Sequence, residues 1–440
     1  MDFDVDPAFQ EILDWADAFV REEVEPLDQV INHAWDLSDP LRMELIPPLQ
    51  DQVRARGLWA THLGPELGGP GYGQVKLALL NEILGRTHSG PIVFGCQAPD
   101  SGNAEILAHY GTEELKKRYL EPLLRNDVVS AFSMTEPRGG SDPTQFTCRA
   151  ERDGDEWVIN GEKWFTSHAR FADFLILLAV TDPEADPHKR MSMFVVPATT
   201  PGVTILRDVG MAGFAEADGE GTHAYIRYEN ARIPADHILG QPGEGFVVAQ
   251  TRLGGGRIHH AMRTVGLVRY AFDMLCERAL SRFTAGSQLA RKQAVEHFIA
   301  DSWIQLEQFR LLVLQTAWKI DKFNDYRKVR ADISAVKAAM PAVLHDVAAR
   351  ALQVHGSLGA SDEMPFGQMI MSAFQMGLVD GATEVHKSTL ARQVLRQYEP
   401  TDDLFPTQHL PRLRAAAEAK YADVLERSRV DSAARATKVE

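Results

Sequence analysis

Two short segments of this 440-residue chain combine residue types that can do chemistry. VDGATEVH (379–386) places Asp380 and Gly381 directly after an apolar, helix-like stretch. A carboxylate drawn out of water by apolar neighbours is expected to have its pKa raised, which suits a general base; the same aspartate could instead cap the next helix. TEPRGGSD (135–142) packs hydroxyls, glycines and free backbone amides into eight residues. Such a loop can bring N–H groups close to a polar ring or a phosphate, although GGSD (139–142) alone would pass for an ordinary turn. The chain has no GxSxG elbow, Walker loop or HExxH helix, so common hydrolase and kinase chemistries lack their signatures. His259-His260 is the only adjacent histidine pair. Successive helical residues point about 100° apart, so no shared metal is expected. Arg257, Arg263 and Arg269 recur at a spacing of six and read mostly as a solvated face.

The elements that must position these segments fall into three zones. Residues 1–127 read mostly as helices joined by Gly/Pro-rich loops. The sharpest loop, GPELGGPGYG (64–73), follows no strand and lies in no βαβ spacing, so it reads as a helix–helix connection and not a dinucleotide fingerprint. From 128 to 240 come WVINGEKWF, FLILLAV, MSMFVVPA, GVTILRDV and HAYIRYENARI, bounded by turns such as Asp153-Gly154-Asp155 and Pro201-Gly202. Their β-branched and aromatic content, with no helix between them, predicts a small antiparallel sheet or barrel. GQPGEGF (240–246) marks the boundary, and over 241–400 the helical period returns. Val295, Phe298, Ile299, Leu306, Phe309, Val313 and Ile320 share one face, as do Ile333, Val336, Met340, Val343 and Val347. Pro341 inside the second run predicts a kink or a new helix start. Residues 401–440 form an extension whose charged, Ala-rich end is expected to fray.

Composition limits the function classes. Lys plus Arg total 46 against 61 Asp plus Glu, a net charge of −15, which argues against a nucleic-acid partner or a polybasic membrane patch. Cys96, Cys148 and Cys276 stand far apart, so neither a disulfide framework nor a metal site is expected. The acidic N-terminus is no targeting peptide, and no apolar run approaches the roughly 20 residues needed for a membrane span. A soluble, cytoplasmic chain is the expectation.

These motifs, in this domain order, resemble the acyl-CoA dehydrogenase family over roughly residues 5–398. ILAHYGTEELKKRYLEPLL (106–124), SMTEPRGGSD, DGDEWVINGEKWFTS and ILGQPGEGF are each similar to family segments. So are the LGGGRI turn (253–258), the Arg282/Gly286/Gln293 spacing, QVHGSLG (353–359) and VDGATEVH. QAPDSGN (97–103), VKAAMPA (336–342) and the VDGATEVH ending look closest to the branch with the dehydrogenase modules of mammalian family members ten and eleven. The resemblance implies an α+β fold with an N-terminal helical domain, a middle β-barrel domain and a C-terminal four-helix bundle. It implies FAD as cofactor, an acyl-CoA substrate in fatty acid β-oxidation and an electron-transfer flavoprotein or similar acceptor. A homo-oligomer, tetramer or dimer, is also implied. Hydride would pass from the β-carbon to FAD while a carboxylate takes the α-proton, leaving trans-2-enoyl-CoA.

By the same resemblance, Asp380 matches the catalytic carboxylate, and Ser141, Arg257 and Gly381 lie by the substrate. The run Phe132 to Ser141, including Met134, Thr135 and Gly140, forms the flavin-facing loop. Phe165, Thr166 and Ser167 match the flavin-contacting triplet. Arg282, Gln293, Gln353, His355, Gly356 and Ser357 match groups that hold the FAD pyrophosphate and adenine from a neighbouring subunit. Ala382, Thr383 and Glu384 flank the FAD. Several positions depart from the family's usual residues, among them Phe165, where the family usually stacks Trp, and Ala382. Asp380 stands where Glu is commonest, one methylene shorter, and Ala285, Ser357 and Glu384 replace Phe, Gly and Gln. Gly255 and Gly256 close the alternative of a Glu on the LGGGRI helix. Two other readings follow from the departures: a flavin oxidase like nitroalkane oxidase, which uses Asp there, and a catalytically silent acyl-CoA binder.

Overall fold

The computed structural model describes residues 4–65, 69–211, 221–401 and 404–436. Residues 66–68 of the GPELGGPGYG loop and the last four of the extension lie outside them. Helix starts are encoded early. Asp6 accepts the amide of Phe9 at 3.1 Å ahead of Pro7, and Asp39 accepts that of Leu41 at 2.9 Å ahead of Pro40. Seven α-helices follow among the described residues of the first zone: α1 (Pro7–Phe19), α2 (Pro40–Ala55), α3 (Gly73–Leu84), α4 (Gly90–Val93), α5 (Asp100–Tyr110), α6 (Glu113–Leu115) and α7 (Glu121–Arg125).

The described residues of the middle zone form one eight-stranded sheet: β1 (Ser130–Ser133), β2 (Arg149–Asp153), β3 (Glu156–Ser167), β4 (Phe174–Val180), β5 (Met191–Pro197), β6 (Val203–Val209), β7 (His223–Pro234) and β8 (Ile238–Leu239). Neighbours run β6-β7-β3-β2-β4-β5-β8, with β1 also on β4. FLILLAV is buried at every position, as a strand covered on both faces must be. The sheet is mostly antiparallel, but β1 and β2 each pair with β4 in parallel, which the alternation of the strands could not reveal. Between the N-terminal helices and the sheet, Tyr119 packs on Phe174, its ring centroid 4.9 Å away.

The third zone is helical: α8 (Gly245–Ser281), α9 (Gln293–Phe323), α10 (Arg330–His355), α11 (Phe366–Met376) and α12 (Thr383–Leu395), with a two-strand ribbon at 283–288 between α8 and α9. The predicted apolar faces form its core: Val295, Leu306, Phe309, Val313, Ile320, Ile333, Val336, Met340 and Val347 are all buried, with Phe298, Ile299 and Val343 packed at the margin. Helix α10 continues through Pro341 with no new start. LGGGRI is not a turn; it lies inside α8. By packing the chain forms two units, Met1–Leu390 and Ala391–Glu440. The second contains α13 (Leu410–Lys420) and α14 (Ala422–Ala436), with Phe405 stacked on His409 at 4.3 Å. No helix among the described residues is long and apolar enough to cross a membrane.

Candidate active site

Asp380 sits in the turn between α11 and α12 with φ +53°, a left-handed conformation that a side chain adopts only when its surroundings enforce it. The enforcement is visible. Its carbonyl accepts Arg257 Nε at 2.8 Å and lies 3.3 Å from His386 Nε2. The Thr383 amide closes the turn onto the Gly377 carbonyl at 2.9 Å. Asp380 therefore does not cap α12; its carboxylate faces α8. A Cβ on Gly256 would stand 3.1 Å from Asp380 Oδ2, and His260, one turn further along α8, brings Nε2 to 3.6 Å from the same oxygen. The Asp380 side chain is 16% exposed.

The electrostatics reverse the expected sign. Burial does push the Asp380 carboxyl up, but His260 where it is protonated, together with Arg252, Arg257 and Lys337, outweighs it and holds the group below the ordinary aspartate value. These groups were not legible as a cluster because they come from two helices. Lys337, from α10, is fully buried, donates to the Met376 carbonyl, and is pushed down by burial to about 8. Arg252 donates to Asn103 Oδ1 at 2.9 Å and lies 3.8 Å over the Phe132 ring, tying α8 to β1. Glu105 of α5 reaches the same stretch: a Cβ on Gly255 would stand 3.1 Å from its Oε2, and burial pushes its carboxyl up to about 7. The solvated-face expectation for the arginines fails. Arg263 is partly buried, 3.4 Å from both Asn81 Oδ1 and the Cys96 carbonyl, and Arg269 pairs with Glu307 at 2.6 Å. Among the described residues no cluster of His, Cys, Asp and Glu could hold a metal.

The loop after β1 is braced from behind. Glu136 accepts the amides of Thr147 at 2.7 Å and Cys148 at 2.9 Å, and pairs with Lys163 at 3.0 Å; Lys163 also donates to the Met134 carbonyl at 2.7 Å. With 0% and 3% of these side chains exposed, the pair is a buried one whose members need each other. Lys163→Met should therefore cost about 3–5 kcal/mol, read as an earlier unfolding transition in urea, and Lys163→Met/Glu136→Gln should recover part of it.

In front of that brace, Thr135 gives its carbonyl to Trp164 N–H at 2.8 Å, a Cβ on Gly140 would meet nothing within 4 Å, and Ser141 is exposed. The β3–β7 register slips between Lys163 and Thr166, and inside this bulge Phe165 takes φ +55° and is 38% exposed. Ser167 Oγ lies 2.9 Å from His223 Nδ1, while Thr166 is wholly buried near Ser133. Phe132, Met134 and Thr135 are half-buried. Ala382 and Thr383 are half-buried beside Asp380, with Gly381 against His386 and Glu384 exposed.

The remaining predicted residues gather elsewhere. Arg282 follows the end of α8, twenty-six residues beyond Gly256, about 39 Å along the helix at about 1.5 Å per residue. Gln293 opens α9, and Gln353, Gly356 and Ser357 are exposed at the end of α10. His355 is turned inward, its Nδ1 2.8 Å from the Ala351 carbonyl and its ring on Phe366. Within one chain Arg282 and Asp380 thus lie near opposite ends of α8.

Comparison with known proteins matches the acyl-CoA dehydrogenase N-terminal, middle and C-terminal domain models to residues 6–127, 131–224 and 243–395. Acyl-CoA dehydrogenase family member 11 of Mus musculus is 37% identical over 399 residues, covering 88% of this chain and 50% of that protein. The chain thus spans about half the length of the first curated relatives it matches. FadE2 of Mycobacterium tuberculosis, named as a probable acyl-CoA dehydrogenase, is 39% identical over 363 residues, 81% of this chain and 87% of its own. Among solved structures, a Mycobacterium abscessus protein described as an acyl-CoA dehydrogenase superposes with a TM-score of 0.82 at 37% identity, covering 90% of this chain and 100% of that one. Butyryl-CoA dehydrogenase of Megasphaera elsdenii gives 0.76 at 25%, with the same coverage.

Proposed function

Because the chain belongs to the acyl-CoA dehydrogenase family, we propose that it is an FAD-dependent enzyme that converts a fatty acyl-CoA thioester to its trans-2-enoyl form. The observation that carries this reading is the Asp380 carboxylate, held by backbone contacts and aimed at the Gly256 gap of α8, on the helix whose Arg252 covers Phe132. The front of the β1 loop suits a flat cofactor: open space at Gly140, an exposed Ser141 and a Phe165 ring held outward by a strained backbone. Phe132, Thr135, Phe165 and Ser167 would hold the ring system there. When bound, FAD supplies the hydride acceptor. The chain's own residues do the proton chemistry. Asp380 takes the α-proton onto its carboxylate. Arg252, Arg257 and Lys337 keep that carboxylate ionised between turnovers, and its burial limits competition from water. The Asp is shorter than Glu by roughly one C–C bond, about 1.5 Å, and the side-chain-free Gly256 lets its turn approach α8 closely.

The purified protein should be yellow and should bleach under anaerobic conditions with acyl-CoAs of one chain-length or branching class. Full flavin occupancy with no bleaching across the series would defeat the reading. Oxygen consumption without an added acceptor would instead favour the oxidase reading. Since Arg282 lies about 39 Å along α8 from Gly256, the residue that faces Asp380, one FAD would be held by two copies of the chain, so the enzyme works as a homo-oligomer.

A further inference from the structure

Three cations stand near Asp380, and the hydrogen bonds described for them run to groups other than its carboxylate. Arg257 Nε donates to the Asp380 backbone carbonyl, Arg252 Nε to Asn103, and Lys337 Nζ to Met376. His386 Nε2 also faces the backbone carbonyl, 3.3 Å away. The ring nitrogen left facing the carboxylate is His260 Nε2, 3.6 Å from Oδ2, with 22% of the His260 side chain exposed. Gly256 and His260 are four residues apart on α8 and so share a face, one giving the carboxylate room and the other an N–H.

We propose that His260 is the positioning residue of the catalytic carboxylate, its neutral Nε2–H fixing the rotamer of Asp380 in the gap over Gly256. The proposal rests on reading Asp380 as the base. Its physical sense lies in the choice of donor. A cation in direct contact would stabilise the carboxylate so far that it became a poor base, whereas a neutral imidazole donates one hydrogen bond without cancelling the charge. His260 is kept neutral by burial, with Arg263, Lys337 and Arg252 repelling a proton against the pull of Asp380; the ring is pushed down to about 4. At 3.6 Å the contact is longer than an ordinary hydrogen bond, and the proposal requires it to tighten in the reacting complex.

The test uses the full-length holoprotein and two variants. His260→Phe keeps a ring and removes the N–H; His260→Gln returns an amide N–H to about the place of Nε2. The first readout is the protonation midpoint of Asp380 from pH-dependent infrared difference spectra, its band identified by disappearance in Asp380→Asn. The second is the rate of flavin reduction against pH, with KM and flavin content. The groups facing the pair that also titrate or carry charge are Arg252, Arg257 and Arg263 from α8, Lys337 from α10 and His386 from α12, and both variants leave them intact. His260→Phe should raise the Asp380 midpoint and slow reduction about 10- to 100-fold, with KM and flavin content within about twofold. His260→Gln should restore most of the rate and return the midpoint. An unmoved midpoint in His260→Phe, or equal loss in both variants, would overturn the proposal. Should no acyl-CoA reduce the wild-type flavin, the reading of the base fails, and the infrared arm still decides whether His260 holds Asp380.

Discussion

Asp380→Asn should fold, bind flavin like the wild type, and reduce that flavin with acyl-CoA about 10²- to 10⁴-fold more slowly. The backbone argument makes the variant usable. Position 380 has φ +53°, and Asn tolerates the left-handed region as well as Asp does. Arg257 and His386 hold the backbone carbonyl, which the substitution leaves in place. What goes is the lone pair that, on the proposed reading, would accept the α-proton. Stopped-flow bleaching under anaerobic conditions measures the loss, and a variant bleached at the wild-type rate would rule out Asp380 as base. The pH dependence has a definite sign. A base works ionised, so activity is present above its folded pKa and falls as pH drops through it. Because the surrounding cations hold Asp380 below the ordinary aspartate value, the wild-type acid limb should be shifted to lower pH than an ordinary aspartate would give.

Much of this was readable in the sequence where the signal is local. The period of α9 and α10 gave their buried faces, and the β-branched runs gave the strands of the sheet. Asp380 and the loop at 135–141 stood out because odd residue types cluster within eight positions. The missed features are those made by tertiary crossing. Arg257 and Arg263 looked solvated because a spacing of six is not one stripe, yet packing of α8 on the turn at 380 and on the first helices covers them. As half of an adjacent pair His260 offers no shared metal, and nothing local in the sequence points to its neighbour Asp380, which comes from the turn before α12. The pKa of Asp380 went the wrong way for the same cause. Apolar neighbours in sequence predicted desolvation, and burial does act, but Arg252, Arg257 and Lys337 arrive from positions far along the chain. A run of three glycines inside α8 was the available clue. Mid-helix glycine costs about 1 kcal/mol relative to alanine, so three together signal close approach, here by Tyr326, Glu105 and Asp380.

Mixing two inactive variants should produce an active enzyme. Asp380→Asn removes the base but leaves Arg282 sound; Arg282→Glu spoils the exposed cation at the far end of α8 but leaves the base sound. If each FAD lies between the Asp380 end of one chain and the Arg282 end of another, a mixed dimer contains one doubly damaged site and one intact site. Random pairing makes about half of the dimers mixed, and each has one good site of two, so a co-expressed mixture should reach about a quarter of wild-type activity. Neither variant alone should exceed a few per cent, Arg282→Glu because repulsion of the pyrophosphate empties the site of flavin. Flavin content adds a second readout: the mixture should carry more flavin per chain than Arg282→Glu alone. The separation along α8, about 39 Å, makes the result decisive, since no rearrangement within one chain brings Arg282 to Asp380 while α8 stays helical. Arg282→Glu with full flavin and full activity would detach that arginine from the cofactor. Failure to complement, with mixed oligomers shown to form, would mean that each chain completes its own site.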